Sequence, residues 1–209
     1  MNQSSAPAIG IDLGTTFSCV SQLDDLGRPL TLTNAEGDKS TPSVIFFDGT
    51  DVIVGKEAVK AKGTDMIHIA ECAKRELGKS LFKKALGGRK YPPEVLQAFI
   101  LNKLRKDAQR QIGDFRKVVI TVPAYFDESH RKATQDAGYI AGFDVMDIIN
   151  EPTAAALSLG LSQGFLSREG QSRAPRNVLV YDLGGGTFDL SIIEIADVDG
   201  EHQFEVLAT

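Results

Sequence analysis

The stretch Ile9–Phe17, IGIDLGTTF, recurs in altered form 170 residues later as Leu179–Phe188, LVYDLGGGTF. Each copy consists of an apolar strand, the tripeptide Asp-Leu-Gly, and a turn of small residues that ends in threonine. A phenylalanine then opens a second strand. The second copy has one additional residue in its turn. The repeat predicts a fold in which two similar strand-turn-strand units carry the chemistry.

The residue types in both turns suit phosphate binding. Glycine lacks a Cβ, so backbone N–H groups can approach an anion closely, and threonine hydroxyls add donors. The aspartate that ends each strand, Asp12 or Asp182, is interpreted as holding a divalent cation through water, since magnesium usually keeps several of its waters. Two such turns facing each other would hold a polyphosphate from both sides. The alternative, two ordinary glycine-rich hairpins, is disfavoured because Asp and Thr recur at matched positions.

The composition is that of an ordinary globular protein, with 209 residues, 42 % hydrophobic residues and a net charge of −5. The slight acidity argues against a protein-wide nucleic-acid-binding face. The seven basic residues between Lys74 and Lys90 form a charge run of the kind that is usually a solvated face, with nucleic-acid binding as a less favoured alternative for this stretch. Cys19 and Cys72 form no CxxC pair and are interpreted as idle thiols in a reducing compartment. The sequence lacks a signal-peptide pattern and a long apolar run, which predicts a cytoplasmic protein without a membrane segment.

Hydrophobic periodicity along the chain predicts an α/β protein. The predicted strands span residues 9–13, 17–23, 30–33, 44–47, 52–54, 118–122, 145–149, 178–182, 188–195 and 203–207. The predicted helices span residues 56–62, 66–77, 92–112, 127–140 and 152–161. Apolar strands that alternate with helices after residue 118 favour parallel pairing. Residues 162–177, rich in Ser, Gly, Gln and Arg, are interpreted as an exposed connector.

Five stretches resemble the Hsp70 (DnaK-type) chaperone family, and they follow in the family's order. They are IGIDLGTTFSCV (Ile9–Val20), NAEGDKSTPS (Asn34–Ser43), ITVPAYF (Ile120–Phe126), INEPTAAAL (Ile149–Leu157) and VYDLGGGTFD (Val180–Asp189). The resemblance implies the actin/hexokinase/Hsp70-like ATPase fold, which is ribonuclease H-like, with a mixed sheet and flanking helices. It also implies an N-terminal fragment of a longer chaperone. Residues 1–176 would form lobe I of the nucleotide-binding domain, with its core at 1–41 and 92–176, and residues 177–209 the truncated first strands of lobe II. The segment between Lys79 and Tyr91 is shorter than in the family, so the outer subdomain, about residues 42–91, is expected to be reduced.

The resemblance also implies a role for individual residues. Phe17 departs from the family, which usually has a polar residue or tyrosine there, so only its backbone donor is expected to be retained. Pro123 and Arg131 match a relay that reports the nucleotide state to the peptide-binding domain, although Pro123 also suits a plain strand end. The implied catalytic residues are Lys74, Glu151, Asp182 and Thr187. The implied phosphate-binding residues are Gly14, Thr15, Thr16 and Phe17 in the first loop and Gly184, Gly185, Gly186 and Thr187 in the second. The implied magnesium site consists of Asp12, Glu151, Asp182 and Asp189, mostly through water, with K⁺ as a further ion near Asp189.

The function implied by the resemblance is binding of ATP or ADP with Mg²⁺. A longer parent would hydrolyse ATP to drive peptide binding and release in protein folding and the stress response. Its expected partners are a J-domain co-chaperone, a nucleotide-exchange factor and unfolded peptide held by a C-terminal domain. The isolated fragment is expected to be inactive as an ATPase. Two alternatives remain, a sugar kinase of the same superfamily and a non-catalytic interaction module.

Overall fold

Three β-sheets and four α-helices make up the part of the chain that the computed structural model describes, residues 9–163, 175–185, 188–198 and 201–209. In chain order the strands are β1 (Ile9–Leu13), β2 (Phe17–Leu23), β3 (Pro29–Thr31), β4 (Thr41–Pro42), β5 (Val44–Asp48), β6 (Asp51–Val54), β7 (Ile69–Glu71), β8 (Lys117–Val122), β9 (Asp144–Asn150), β10 (Arg176–Leu183), β11 (Phe188–Val198) and β12 (Glu201–Ala208). The helices are α1 (Lys56–Ala61), α2 (Pro93–Ile112), α3 (Glu128–Ile140) and α4 (Glu151–Ser162).

The largest sheet is mixed and has the strand order β3-β2-β1-β8-β9, with β4 paired to β2. Strands β1, β8 and β9 are parallel, whereas β2 and β3 run antiparallel to their neighbours. Alternation along β1 buries Ile9, Ile11 and Leu13 and leaves Asp12 exposed on the opposite face. The period of the strand therefore places the first aspartate outside the core.

Helix α2 covers this sheet and supplies much of the main core. It begins at Pro93, where the missing N–H costs no helical hydrogen bond, and it ends before Gly113, which has a φ of 76°. Leu96, Ile100 and Leu104 lie on its buried face, as the amphipathic pattern predicts. In the described part of the chain, no helix combines the length and the apolar character that crossing a bilayer requires.

The second sheet, with the order β6-β5-β7, corrects the prediction of a helix at residues 66–77. That segment forms a single 3-10 turn at Met66–His68, strand β7, and a second 3-10 turn at Ala73–Glu76. Strand β7 pairs with Val44, Ile45 and Phe46 of β5. This backbone pairing with a strand that is distant in the sequence overrides the local helical pattern of residues 66–77.

The third sheet is an antiparallel meander, β10-β11-β12, and it packs on α4. Ala156 of α4 is fully buried against Ile193 and Ile195 of β11. The same helix contacts β8 and β9 of the largest sheet. Helix α4 therefore lies between the two sheets that carry the repeated turns. Most of the predicted connector, residues 164–174, lies outside the described residues.

Candidate functional site

A cleft of about 200 Å³ lies where the two repeated turns meet. Its walls come from four segments that are far apart in the sequence. The lining residues are Asp12, Gly14, Thr15, Thr16, Phe17, Lys74, Glu151, Asp182, Gly184 and Gly185. The structure thus brings together ten of the residues singled out from the sequence. Asp189 does not line this cleft, and Gly186 and Thr187 lie outside the described residues.

The first turn connects β1 and β2, which pair at Leu13 and Ser18. A Cβ placed on Gly14 would lie 2.0 Å from the carbonyl oxygen of Phe17, well inside van der Waals contact. The turn can therefore close only with glycine at this position. Phe17 itself is 54 % exposed, so its ring is not part of the core.

The second turn touches the first. A Cβ on Gly185 would lie 2.8 Å from Oγ1 of Thr16. Across β10 and β11, Asp182 pairs with Asp189, directly next to the pair of Leu183 and Phe188 that flanks the turn. The absence of a side chain at Gly185 thus allows the two turns to approach closely, as the repeat predicts.

A buried ion pair forms one wall of the cleft. Nζ of Lys74 lies 2.5 Å from Oε1 of Glu151, and the two side chains are 2 % and 17 % exposed. Lys74 is held by the 3-10 turn Ala73–Glu76, and Glu151 is the first residue of α4. The ring of Phe126 lies 5.7 Å from the Lys74 ammonium on another side. Lys74 is therefore a fixed charge in the site.

Negative charge accumulates beside this ion pair. Burial raises the pKa of Glu151 above its ordinary value, the Lys74 ammonium opposes that shift, and the charges of Asp12 and Asp182 add to it. Three carboxylates thus share a cleft with one ammonium group. Such a donor set suits a hydrated divalent cation together with a phosphate chain.

Two residues that the sequence analysis did not single out belong to this environment. Oγ1 of Thr121 donates a 2.9 Å hydrogen bond to Oδ1 of Asp12, its partner in the β1–β8 ladder. The pKa of Tyr125 is raised by burial and then by the charges of Asp189 and Glu151. Both residues belong to the ITVPAYF stretch, and a lone threonine in an apolar strand is the signal that could have found Thr121.

The other predicted residues have structural partners. Nη1 of Arg131 donates a 3.1 Å hydrogen bond to the carbonyl of Ile148, and Nη2 contacts Oδ1 of Asn150, which precedes Glu151.

Burial and then the charge of Asp12 raise the pKa of the Cys19 thiol, which agrees with an idle thiol. In the described parts of the chain, no three His, Cys, Asp or Glu side chains are arranged to hold a metal ion directly. Coordination through water remains a prediction.

Most of the basic run between Lys74 and Lys90 is a solvated face, as the charge pattern predicts, since five of its seven basic side chains are exposed. Lys79 and Lys83 approach Glu76 on this surface, and Lys84 donates to the carbonyl oxygen of Ile69 at 2.7 Å. Lys74 is the exception, because it is buried in the cleft.

A strained residue leads the chain into the turn that holds Lys74. Cys72 has a φ of 54° and a ψ of 27°, a left-handed conformation that costs about 1 kcal/mol for most residues. Asparagine tolerates this conformation, so Cys72→Asn is expected to raise the free energy of unfolding by about 0.5–1 kcal/mol. Cys72→Val is expected to lower it, because a β-branched residue fits poorly there. Urea unfolding measures both, and equal stabilities of the two variants would contradict this reading.

One comparison with known proteins identifies the family. The model of the Hsp70 protein family matches residues 8–86 and 71–209, which together cover nearly the entire chain. The chain belongs to the Hsp70 family. The Hsp70 family consists of ATP-binding chaperones with ATPase activity, and its members bind ATP or ADP with Mg²⁺. The mixed sheet with flanking helices is accordingly the actin/hexokinase/Hsp70-like ATPase fold.

Proposed function

We propose that this Hsp70 chain binds the phosphates of ATP or ADP with Mg²⁺ in the cleft between its two turns. The observation that carries the proposal is the buried ion pair of Lys74 and Glu151, which lies against two glycine turns in contact with each other. A buried ammonium beside closely packed backbone donors suits a multiply charged anion.

Each residue would have a distinct role in hydrolysis. The turn N–H groups and the hydroxyls of Thr15 and Thr16 would bind phosphate oxygens, and Lys74 would orient the terminal phosphate by its charge. The carboxylate of Glu151 would accept a hydrogen bond from the attacking water and so position it. Asp12 and Asp182 would hold the waters around the magnesium ion. Magnesium, when bound, would neutralise part of the phosphate charge.

The domain organisation that we propose for this chain is that of the Hsp70 family. Residues 1–176 would form lobe I, with an outer subdomain at about 42–91, and residues 177–209 the first strands of lobe II. The two family-model matches overlap at residues 71–86, within the outer subdomain that is predicted to be reduced. A longer parent would couple hydrolysis to peptide binding with a J-domain co-chaperone and a nucleotide-exchange factor in the cytoplasm. No nucleic acid or membrane would take part.

Calorimetric titration of Mg·ATP and Mg·tripolyphosphate into the 209-residue chain tests the proposal. We expect the two ligands to bind with similar strength, because the residues in the cleft suit phosphate and the adenosine contacts would come from the rest of lobe II. Binding should require Mg²⁺. Absence of binding by both ligands would contradict the proposal for this chain and would favour the non-catalytic interaction module.

Asp182→Asn is expected to reduce the magnesium-dependent affinity at least about tenfold, because one carboxylate of the proposed cation site loses its charge. In a longer parent the same change should abolish or greatly slow ATP hydrolysis. Asp51→Asn is the matched control, since Asp51 lies on the remote β5–β6 hairpin. Equal losses in the two variants would refute the role of Asp182.

The alternative of a sugar kinase has its own test. Incubation of a longer parent protein with ATP and a panel of sugars should yield no phosphorylated sugar. The Asn-Glu-Pro-Thr-Ala-Ala-Ala sequence at the start of α4 supports the chaperone family instead. Formation of a sugar phosphate would support the kinase.

A further inference from the structure

The NAEGDKSTPS stretch, residues 34–43, carries no role in the proposed function, yet it is held firmly beside the first turn. Oδ1 of Asn34 accepts hydrogen bonds from the N–H groups of Glu36 and Asp38, at 3.1 and 2.8 Å. Nδ2 of Asn34 donates to the Ser40 carbonyl at 3.1 Å and to Oγ1 of Thr41 at 3.2 Å. One asparagine thus closes the loop and leads it into β4.

Strand β4 brings Ser43 to the back of the first turn. Phe17 and Ser18 of β2 pair with β4. Ser43 is only 3 % exposed and does not line the cleft. Its N–H donates to the Thr16 carbonyl and its Oγ to the Gly14 carbonyl, both at 2.8 Å. One buried residue therefore holds two carbonyl groups of the same turn.

The direction of the hydroxyl hydrogens follows from their number. Oγ of Ser18 lies 2.9 Å from Oγ of Ser43. Ser43 has one hydroxyl hydrogen, which it donates to the Gly14 carbonyl, so Ser18 must be the donor to Ser43. The bond to Gly14 does not depend on Ser18, and this allows the two serines to be tested separately.

Fixing these carbonyls also fixes the opposite side of each peptide group. The peptide bonds here are trans, and in a planar trans peptide the C=O and the following N–H point in opposite directions. With the Gly14 and Thr16 carbonyls directed at Ser43, the N–H groups of Thr15 and Phe17 point away from it. Thr15 and Phe17 line the cleft, whereas Ser43 does not, so the cleft lies on the side of the turn that faces away from Ser43.

We propose that Ser43 is a positioning residue of the nucleotide site, which aims the N–H groups of Thr15 and Phe17 at the phosphate oxygens. The inference rests on the proposed phosphate binding. It also accounts for a phenylalanine at position 17: a backbone donor that is held from behind leaves the identity of the exposed side chain free. Ser43 touches no ligand and acts only through the turn.

Three variants separate positioning from a general structural effect. Ser43→Ala removes the hydroxyl bond to Gly14, Ser43→Thr retains a hydroxyl, and Ser18→Ala removes a buried hydroxyl while the bond to Gly14 remains. We measure Mg·tripolyphosphate affinity by calorimetry, thermal stability, and the ¹⁵N order parameters of the Thr15 and Phe17 amides by NMR. Ser43→Ala should lose about tenfold in affinity, as expected for one lost buried hydrogen bond. It should also lower the order parameters of both amides, because the turn is no longer held by the Ser43 hydroxyl.

Ser18→Ala should lose stability to a similar extent but keep its affinity within about twofold, and Ser43→Thr should regain affinity. Equal affinity losses for Ser43→Ala and Ser18→Ala would overturn the inference, as would unchanged order parameters at Thr15 and Phe17 in Ser43→Ala. If the unmodified chain binds no phosphate ligand, the proposed function fails by itself. Lower order parameters in Ser43→Ala, but not in Ser18→Ala, would then still support the positioning role, and unchanged values would still overturn it.

Discussion

Gly14→Ala is expected to reduce phosphate-ligand affinity at least about a hundredfold and to lower the free energy of unfolding by about 1–3 kcal/mol. The new Cβ would lie 2.0 Å from the carbonyl oxygen of Phe17, an overlap that only a backbone shift of the turn can relieve. Such a shift misdirects the donors that face the cleft. Titration with Mg·tripolyphosphate and urea unfolding measure the two effects.

Gly63→Ala is the matched control for this variant. A Cβ at Gly63 would meet no atom closer than 3.9 Å, so the added methyl group should leave both affinity and stability nearly unchanged. If Gly14→Ala behaved like Gly63→Ala, the first turn could not have the tight geometry described above.

Lys74→Met is expected to destabilise the protein by about 3 kcal/mol at pH 7, because it leaves Glu151 partly buried without its cation. The loss should depend on pH. Burial, with Asp12 and Asp182, already raises the pKa of Glu151 above 4.5, and removal of Lys74 raises it further. A carboxyl group with a raised pKa in the folded state favours folding below its unfolded pKa, and this advantage is lost as the pH rises through the folded value. The difference from the unmodified protein should therefore be small near pH 4 and complete at pH 7.

Lys79→Met provides the comparison on the surface. Nζ of Lys79 lies 3.0 Å from Glu76, but its side chain is 62 % exposed, and solvent screens such pairs. Its stability should change little at any pH. Urea unfolding of both variants at pH 4 and pH 7 would contradict the buried ion pair if the Lys74→Met deficit did not grow with pH.

Much of the fold and the site could be predicted because the decisive signals are local. The apolar period in β1, Pro93 and Gly113 around α2, and the repeated Asp-Leu-Gly turns each define their own element. Ten of the proposed site residues line one cleft, since the repeat and the family motifs lie on the strands and turns that meet there. Family resemblance predicts Lys74 as a site residue, whereas its pairing with Glu151 is visible only in the structure.

The features of the fold and the site that could not be predicted depend on contacts between segments that are distant in the sequence. Residues 66–77 have a helical pattern, but the β5 ladder and the left-handed Cys72 divide them into a strand and two short turns. Ser43 and Thr121 act through carbonyl and carboxylate groups of β1 and its turn, 29 and 109 residues away. Sequence spacing does not reveal such pairings, because strand register is set by the assembled sheets.

Helix α4 lies between the largest sheet and the third sheet and sets the distance between them. Each sheet carries one of the two turns, so the width of the gap between the turns depends on the thickness of the helix. That thickness is small because Ala156 presents only a methyl group to Ile193 and Ile195. The size of the ligand that fits is thus determined partly by Ala156, which does not line the cleft. Glu151, at the start of the same helix, shifts with any change in the distance between the turns.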